Sequence, residues 1–355
     1  MQFWGARALA QRGGAGRTGI GRTRGEVLCT GCCDHAPGMP GTGMRTKCLS
    51  ALDCHGLARY RAPLWNRQSV RAKLKKYPTM PWKFPQRFAV VRPWLRVRPS
   101  TPEWKVTLSD LLSFLSQPGM VQRGKKFIRA VTEEEDCNRL SLTVDCPEIF
   151  YAKQIPFSML CMMISEQLNE RDWHYYNVPE TKVGPDDCVL DCGACEGLFT
   201  ALSWRAKRVL CIEPSRAFTG LLERSFSKLN HISVLNFALA EADGESRFVE
   251  DGASSRVSET EGYPMSLRSV DSICQSQNVR PTYLKADLEG FEMSMLRGAQ
   301  ETIRECRPRI AITTYHQADH AWQIRELLAR LNPRYKFRLK GITPAGSPVM
   351  LHAFE

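Results

Sequence analysis

VLDCGACEG, residues 189–197, joins a short apolar run to a glycine turn. The run closes on Asp191, and glycines follow at 193 and 197. Glycine at such places removes a side chain where backbone must turn sharply or pass close to something else. A strand that ends in this way and leads into a helix is the opening unit of a doubly wound α/β sheet. Ligands of such sheets lie beyond the carboxyl ends of the strands, where the strand order reverses. Asp191, Gly193, Ala194 and Gly197 are therefore candidate ligand-binding residues.

From Gly184-Pro185 onward, strand-like and helix-like segments alternate. Strands are expected at 188–192, 208–213, 232–239, 282–287 and 309–315, and helices at 197–205, 215–229, 291–305 and 319–331. Several strands are nearly continuous apolar runs, as a parallel sheet covered on both faces requires. Such alternation means an α/β class with a mostly parallel sheet. The last 21 residues break the pattern: two strand-like runs flank TPAGSP, which suggests a C-terminal antiparallel hairpin closing the sheet.

Glu213 ends the second expected strand, twenty residues after Gly193, and is placed to accept hydrogen bonds from two ribose hydroxyls. Pro214 follows it, and the loop after the third strand brings Asn236 and Ala238 as neighbours of an adenine. Nicotinamide dinucleotides and S-adenosylmethionine (SAM) share these demands. A dinucleotide turn carries three glycines so that a pyrophosphate can approach a helix N-terminus. Here only two are present, with Glu196 between them. A carboxylate repels a diphosphate, whereas SAM has no phosphate and carries a sulfonium and an ammonium. The turn therefore points to SAM as cofactor.

Beyond the turn, CIEPS (211–215), NFAL with EADGESRF (236–248), YLKADLEGFEMSMLRGAQ (283–300) and ITTYHQADHAWQIRELL (312–328) complete a recognisable set. With VLDCGACEG, these resemble the FkbM family of SAM-dependent methyltransferases over about residues 188–330. The segment K-x-D-x-E-G-x-E-x-x-x-L-x-G-A is the most specific of them. The resemblance implies a Rossmann-like class I methyltransferase fold and O-methylation of hydroxyls on sugars and secondary metabolites. Cys195 departs from the family, which often has Asn or His there. A poorer hydrogen-bonding side chain puts any polar contact at that position in question.

Methyl transfer to an alcohol needs the nucleophile held in line and its proton removed. Strand period puts Tyr283, Lys285 and Asp287 on one face. Asp287 then ends the strand at the ligand edge, Glu289 sits in the turn, and His316 follows the fifth strand. Asp287, Glu289 and His316 are the catalytic candidates. A metal held by these three is chemically possible but has no support in their spacing, so no metal is expected. Lys285 is expected to neutralise Asp287, and Glu292 to complement the positive end of its helix.

The 355 residues are 43% hydrophobic and 24% charged, ordinary for a globular chain. No apolar run reaches the roughly 18 residues a membrane span needs. The net charge of +12 is unevenly placed: residues 1–100 hold 19 of the 49 Lys and Arg, but only Glu26, Asp34 and Asp53 as acids. Residues 1–47, rich in Gly and Arg, have the acid-poor look of a transit peptide but lack its serines. A disordered tail, or sequence upstream of a start at Met39 or Met44, is expected instead. Residues 59–104 alternate basic residues with Trp65, Trp82, Trp94 and Trp104 among seven prolines, as in an extended arm anchored by tryptophans. Cys29, Cys32, Cys33, Cys48, Cys54 and His55 invite a zinc reading, but the second half is C-x5-C and not a tight pair, and Cys29–Cys33 falls in the expected disordered tail. Fourteen cysteines, several inside apolar strands, suit a reducing, cytoplasmic compartment.

Three parts are thus expected: a basic extension over 1–100, a small N-terminal cap over 101–184, and a methyltransferase domain over 185–355. Within the cap, helices are read at 109–116 and 156–170 and a strand at 140–146. The expected partner is a small-molecule or saccharide hydroxyl acceptor. Two rivals remain. One is a nucleic-acid methyltransferase tethered by the basic arm, against which stands ADLEG where amino-methylating nucleic-acid enzymes have an N/D-P-P-Y/F segment. The other is a non-catalytic SAM-binding module, which could tolerate loss of Asp287 and His316.

Overall fold

A computed structural model describes residues 88–250 and 256–355. The Cys29–His55 cluster, Trp65 and Trp82 lie outside the described residues. The described chain enters through a short helix, α1 (Val91–Val97), followed by α2 (Leu108–Ser116) and α3 (Met120–Lys125). The tryptophans of this segment do act as anchors: Trp94 Nε1 donates to the Val106 carbonyl at 2.7 Å, and the buried Trp104 donates to the Gly341 carbonyl at 2.9 Å. Thr107 starts α2 with a reciprocal cap, its hydroxyl accepting from Asp110 N while the Asp110 carboxylate accepts from Thr107 N. Such caps are worth about 1 kcal/mol.

Strands β1 (Ile128–Glu133), β2 (Cys137–Leu142) and β3 (Ile149–Ala152) form an antiparallel sheet in that order. The strand read at 140–146 is thus shifted towards Cys137. Helix α4 (Phe157–Leu168) buries Leu160, Cys161, Ile164 and Ser165; the expected methionines lie beside that stripe.

The main sheet follows. Its strands are β4 (Cys188–Cys192), β5 (Arg208–Ile212) and β6 (Ile232–Leu235), with helices α5 (Leu198–Leu202) and α6 (Arg216–Phe226) between them. A second, four-stranded sheet then interrupts: β7 (Ala238–Leu239), β8 (Gly244–Val249), β9 (Arg256–Ser258) and β10 (Tyr263–Arg268), followed by α7 (Val270–Ser276). The main sheet resumes with β11 (Tyr283–Ala286), α8 (Glu292–Arg297), α9 (Gln300–Cys306), β12 (Arg309–Thr313), α10 (His320–Leu331), β13 (Lys336–Lys340) and β14 (Met350–Phe354).

The seven strands run in the order β13-β14-β12-β11-β4-β5-β6. The five from β6 to β12 are parallel, and β14 is antiparallel to both β12 and β13. The chain therefore builds outward from β4 to β6 and then returns to add β11 on the other side. The order reverses at β4, beside the turn 193–197. All four residues of β11 are buried, as are the last four of β4, β5 and β12, because helices and loops cover both faces. Leu190, Leu210, Leu284 and Ile310 belong to the core on one face, and Val189, Val209, Tyr283 and Ala311 to the core on the other.

Two expected elements are broken. ISVLNFAL (232–239) is not one strand: it leaves the main sheet after Leu235 and enters the second sheet at Ala238. Asn236 fixes the break by donating its side-chain amide to the carbonyls of Glu213 and Pro214, both at 2.9 Å. The helix read at 291–305 is two helices parted at Gly298, where a Cβ would stand 2.3 Å from the Ala240 carbonyl oxygen. The cysteines of the described residues are all free. Among these residues no helix is long and apolar enough to cross a membrane.

Candidate active site

The turn after β4 is held by the protein itself. Gly193 and Gly197 have φ of +77° and +82°, in the left-handed region. A Cβ on Gly193 would lie 2.1 Å from the Asp287 carbonyl oxygen, and one on Gly197 would lie 2.5 Å from Leu222. The amides of Gly193 and Ala194 both donate to the Ile212 carbonyl, at 3.0 and 3.2 Å. Glu213 closes the turn from β5: its carboxylate accepts from Cys195 N at 2.8 Å and from Ser215 N at 2.9 Å. Asn236 then ties Glu213 and Pro214 to the end of β6. Gly193, Ala194, Gly197, Glu213, Pro214 and Asn236 are thus gathered at the carboxyl ends of three neighbouring strands. Ala238 lies instead in β7, buried with Phe248 and Met265.

Asp191 is fully buried, and its carboxylate faces inward rather than into the turn's mouth. One oxygen accepts from Thr200 Oγ1 at 2.7 Å, and the other lies 3.1 Å from Lys285 Nζ. Lys285 also donates to the Gly193 carbonyl at 2.6 Å. The direct ion pair of Lys285 is therefore with Asp191, and the expected partner Asp287 acts on it only as a second, more distant charge. Parallel pairing sets Lys285 opposite Asp191, so the neighbouring strand supplies its nearest carboxylate. Burial alone would lower the Lys285 pKa, but that carboxylate holds it well above its ordinary value.

Two other acids of the turn have no such cation in contact. Burial pushes Glu196 and Glu213 each up to about 7, even though both accept backbone hydrogen bonds. Glu196 Oε2 has no partner at all while its residue is 2% exposed. Cys195 adopts φ +49° between them, a conformation that Asn tolerates better than most residues.

Across the same edge, Asp287, Glu289 and His316 converge, with one ligand-type atom from each lying within 4.8 Å of the others. His316 Nε2 is 3.7 Å from Asp287 Oδ1 and 3.4 Å from Glu289 Oε2. Its Nδ1 lies 2.7 Å from Glu292 Oε1. Glu292 is fully buried, and its Oε1 also accepts from Leu288 N and Thr313 Oγ1. The expectation that Glu292 merely complements a helix end is thus extended: it orients an imidazole. Burial favours neutral His316, yet Glu292 and Asp287 outweigh it and raise the pKa. Burial likewise works against the Asp287 carboxylate, but His174, His316 and Lys285 hold it ionised well below the usual range. Glu289 is pushed up to about 7 by burial, against the pull of His316. Its backbone takes φ +51°, followed by Gly290 at +104°.

Four contributors were not visible in the sequence. Tyr176 Oη donates to Asp287 Oδ2 at 2.8 Å, and His174 Nε2 lies 3.6 Å from the same oxygen. Behind it, His174 Nδ1 is 3.5 Å from Glu166 on α4. Thr313 Oγ1 reaches both Asp287 and Glu292 at 3.2 Å. The segment carrying His174 and Tyr176 is fixed by a buried ion pair: Arg123 contacts Asp172 at 2.6 Å, and Asp172 accepts from His174 N. The aromatic run DWHYYN (172–177) is the one local signal that could have drawn attention to it.

The model of the methyltransferase FkbM domain matches residues 191–339. None of the curated proteins matches the chain. Among solved structures, methyltransferase FkbM from Methylobacillus flagellatus KT is similar at 23% identity and a TM-score of 0.39, over 55% of this chain and 54% of that one. The chain thus spans about half the length of that relative. An rRNA methylase from Streptococcus thermophilus matches at 12% identity and TM-score 0.33, over 49% of this chain and 89% of its own. Trm5b from Pyrococcus abyssi matches at 12% and 0.33, over 63% and 61%. The glycine turn, the Asp191–Lys285 pair and the Asp287–Glu289–His316 cluster all fall inside the stretch, residues 191–339, that matches the methyltransferase FkbM domain.

Proposed function

We propose that the chain is a SAM-dependent methyltransferase acting on a hydroxyl of a sugar or secondary metabolite. The observation that carries the reading is the buried, under-neutralised acid pair at the turn, Glu196 and Glu213, facing the same sheet edge as Asp287. Such a donor set fits a cationic, hydroxyl-bearing ligand and disfavours a diphosphate: Glu196 Oε2 is buried without a partner, and Glu213 is pushed up to about 7 by burial.

Gly193, Ala194 and Gly197 would supply the backbone cradle, Glu213 with Pro214 the ribose end, and the loop at Asn236 the adenine end. Asp191 acts from behind, fixing the turn through Thr200 and Lys285. When bound, SAM supplies a methyl group already activated on a sulfonium. The chain's remaining task is placement. Asp287, Glu289 and His316 are the groups that would accept the acceptor's hydroxyl hydrogen bond, align its oxygen and favour loss of its proton. Glu292 and Tyr176 position them.

In this reading residues 1–100 are a basic extension, 101–184 a cap and 185–355 the catalytic domain. The free, mostly buried thiols suit a reducing compartment such as the cytoplasm.

Calorimetric titration of the full chain with SAM and with NAD tests this. SAM binding with no NAD binding is expected, weakened at least tenfold by Glu213→Ala while thermal unfolding shows the variant folded. NAD binding without SAM would overturn the reading.

A further inference from the structure

The three catalytic candidates are arranged more like ligands around a centre than like hydrogen-bond partners of one another. His316 Nε2 is the telling atom. It is buried and makes no hydrogen bond, and the His316 side chain is 7% exposed. Glu292 Oε1, 2.7 Å from Nδ1, accepts the hydrogen bond on that side, so in the neutral ring Nε2 carries the lone pair and faces Asp287 and Glu289. A lone pair facing two carboxylate oxygens is unfavourable unless a positive centre lies between them. The separations of 3.4 and 3.7 Å are too long for hydrogen bonds from an imidazolium. They suit atoms sharing a small cation. Ligands about 2.1 Å from a common centre stand roughly 3.0–3.5 Å apart when adjacent and about 4.2 Å when opposite, and the three ligand atoms here lie within 4.8 Å of one another.

The surroundings match what such ligands need. A metal-binding histidine characteristically gives its other ring N–H to a carboxylate, which fixes ring orientation; Glu292 does this, itself held by Leu288 N and Thr313 Oγ1. Asp287 is braced by Tyr176 and Thr313. Glu289 approaches from a tight turn and is the most exposed of the three, with 47% of its side chain accessible.

We propose that Asp287, Glu289 and His316 form a divalent-cation site. Two carboxylates and one imidazole, with the remaining positions open, favour Mn2+ or a similar ion over an all-oxygen Ca2+ cage or a closed thiolate zinc site. The open positions leave room for water and for a hydroxyl oxygen, whose proton a cation makes easier to lose. The site deepens the methyltransferase reading and rests on it for its role, although cation binding can be tested alone.

The test uses the full chain, stripped with EDTA and desalted. Mn2+ is titrated against it, free Mn2+ being read by electron paramagnetic resonance, and SAM affinity is measured in parallel. One Mn2+ per chain is expected, bound at least tenfold more weakly by Glu289→Gln and by His316→Gln, with SAM affinity within threefold of wild type in both. SAM binding also reports that the variants are folded. If wild type takes no Mn2+ and neither Zn2+ nor Mg2+ binds, while SAM still does, the cation site is overturned and the methyltransferase reading stands. Equal Mn2+ affinity in wild type and both variants overturns it too. Stoichiometric Mn2+ binding lost in the variants, with no SAM binding, supports the cation site and removes the role assigned to it.

Discussion

Asp191 and Asp287 each end a neighbouring parallel strand, yet the protein treats them in opposite ways. Asp191 is fully buried and matched in charge: one cation, Lys285, lies 3.1 Å from one oxygen, and one hydroxyl, Thr200, donates to the other. Asp287 keeps part of its side chain accessible and stands among Glu289 and Glu292, with His174 and His316 as the nearby rings. A buried charge that is matched one for one holds a backbone turn in place. A group of acids that exceeds its fixed cations, and opens to solvent, is poised to receive something positive or to take up a proton. The comparison divides the sheet edge into a framework half and a reacting half.

The sharpest way to break that division is Lys285→Met. It leaves the Asp191 carboxyl in the interior without its cation, a change that costs about 3–5 kcal/mol in comparable buried pairs. Urea unfolding should show a loss of that order, and a loss under about 1 kcal/mol would place Asp191 among the reacting groups instead. A smaller effect comes from pH. Glu196 and Glu213 are both pushed from 4.5 up to about 7 in the folded state. Between those values the native protein binds more protons than the unfolded chain, so stability should fall as pH rises from about 4.5 to about 7. The slope follows from linkage, and each group contributes at most about 3 kcal/mol. Unfolding midpoints in urea at pH 5, 6, 7 and 8 measure it. A rise across that window would mean that the two acids are already neutralised by a group inside the protein.

How far the sequence discloses this division depends on the range of the contacts involved. Strands β4, β5, β11 and β12 are legible because burial on both faces writes them as continuous apolar runs. The turn 193–197 is legible because left-handed backbone calls for glycine. Strand β8 is not, since GESRFV is exposed or half-buried everywhere but at Phe248. The break at Asn236 depends on carbonyls of residues 213 and 214, over twenty positions away. Period-two reasoning rightly put Lys285 and Asp287 on one face. It could not reveal that inter-strand register sets Asp191 closer and makes it the direct partner. Tyr176 reaches Asp287 across 111 residues and has no local signature beyond an aromatic run. Long-range polar contacts of this kind assemble the reacting half, so its members were readable singly and its geometry was not.

The smallest stability effect belongs to Glu289→Gln, and it separates the two halves most cleanly. Burial pushes the Glu289 carboxyl up to about 7, with Asp287 and Glu292 opposing its ionisation and His316 favouring it. An acid whose folded pKa is raised lowers stability above its unfolded pKa, in full once pH exceeds the folded value. A neutral amide of the same shape removes that cost at pH 8. Because 47% of the side chain is accessible, solvent screens most of it, and the gain should stay below about 1 kcal/mol. Methyl transfer to a hydroxyl acceptor should meanwhile fall at least tenfold, since Gln neither takes a proton nor carries charge. Urea unfolding and a turnover assay on the same preparation check both. A variant that is clearly destabilised and still active would put Glu289 in the framework with Asp191.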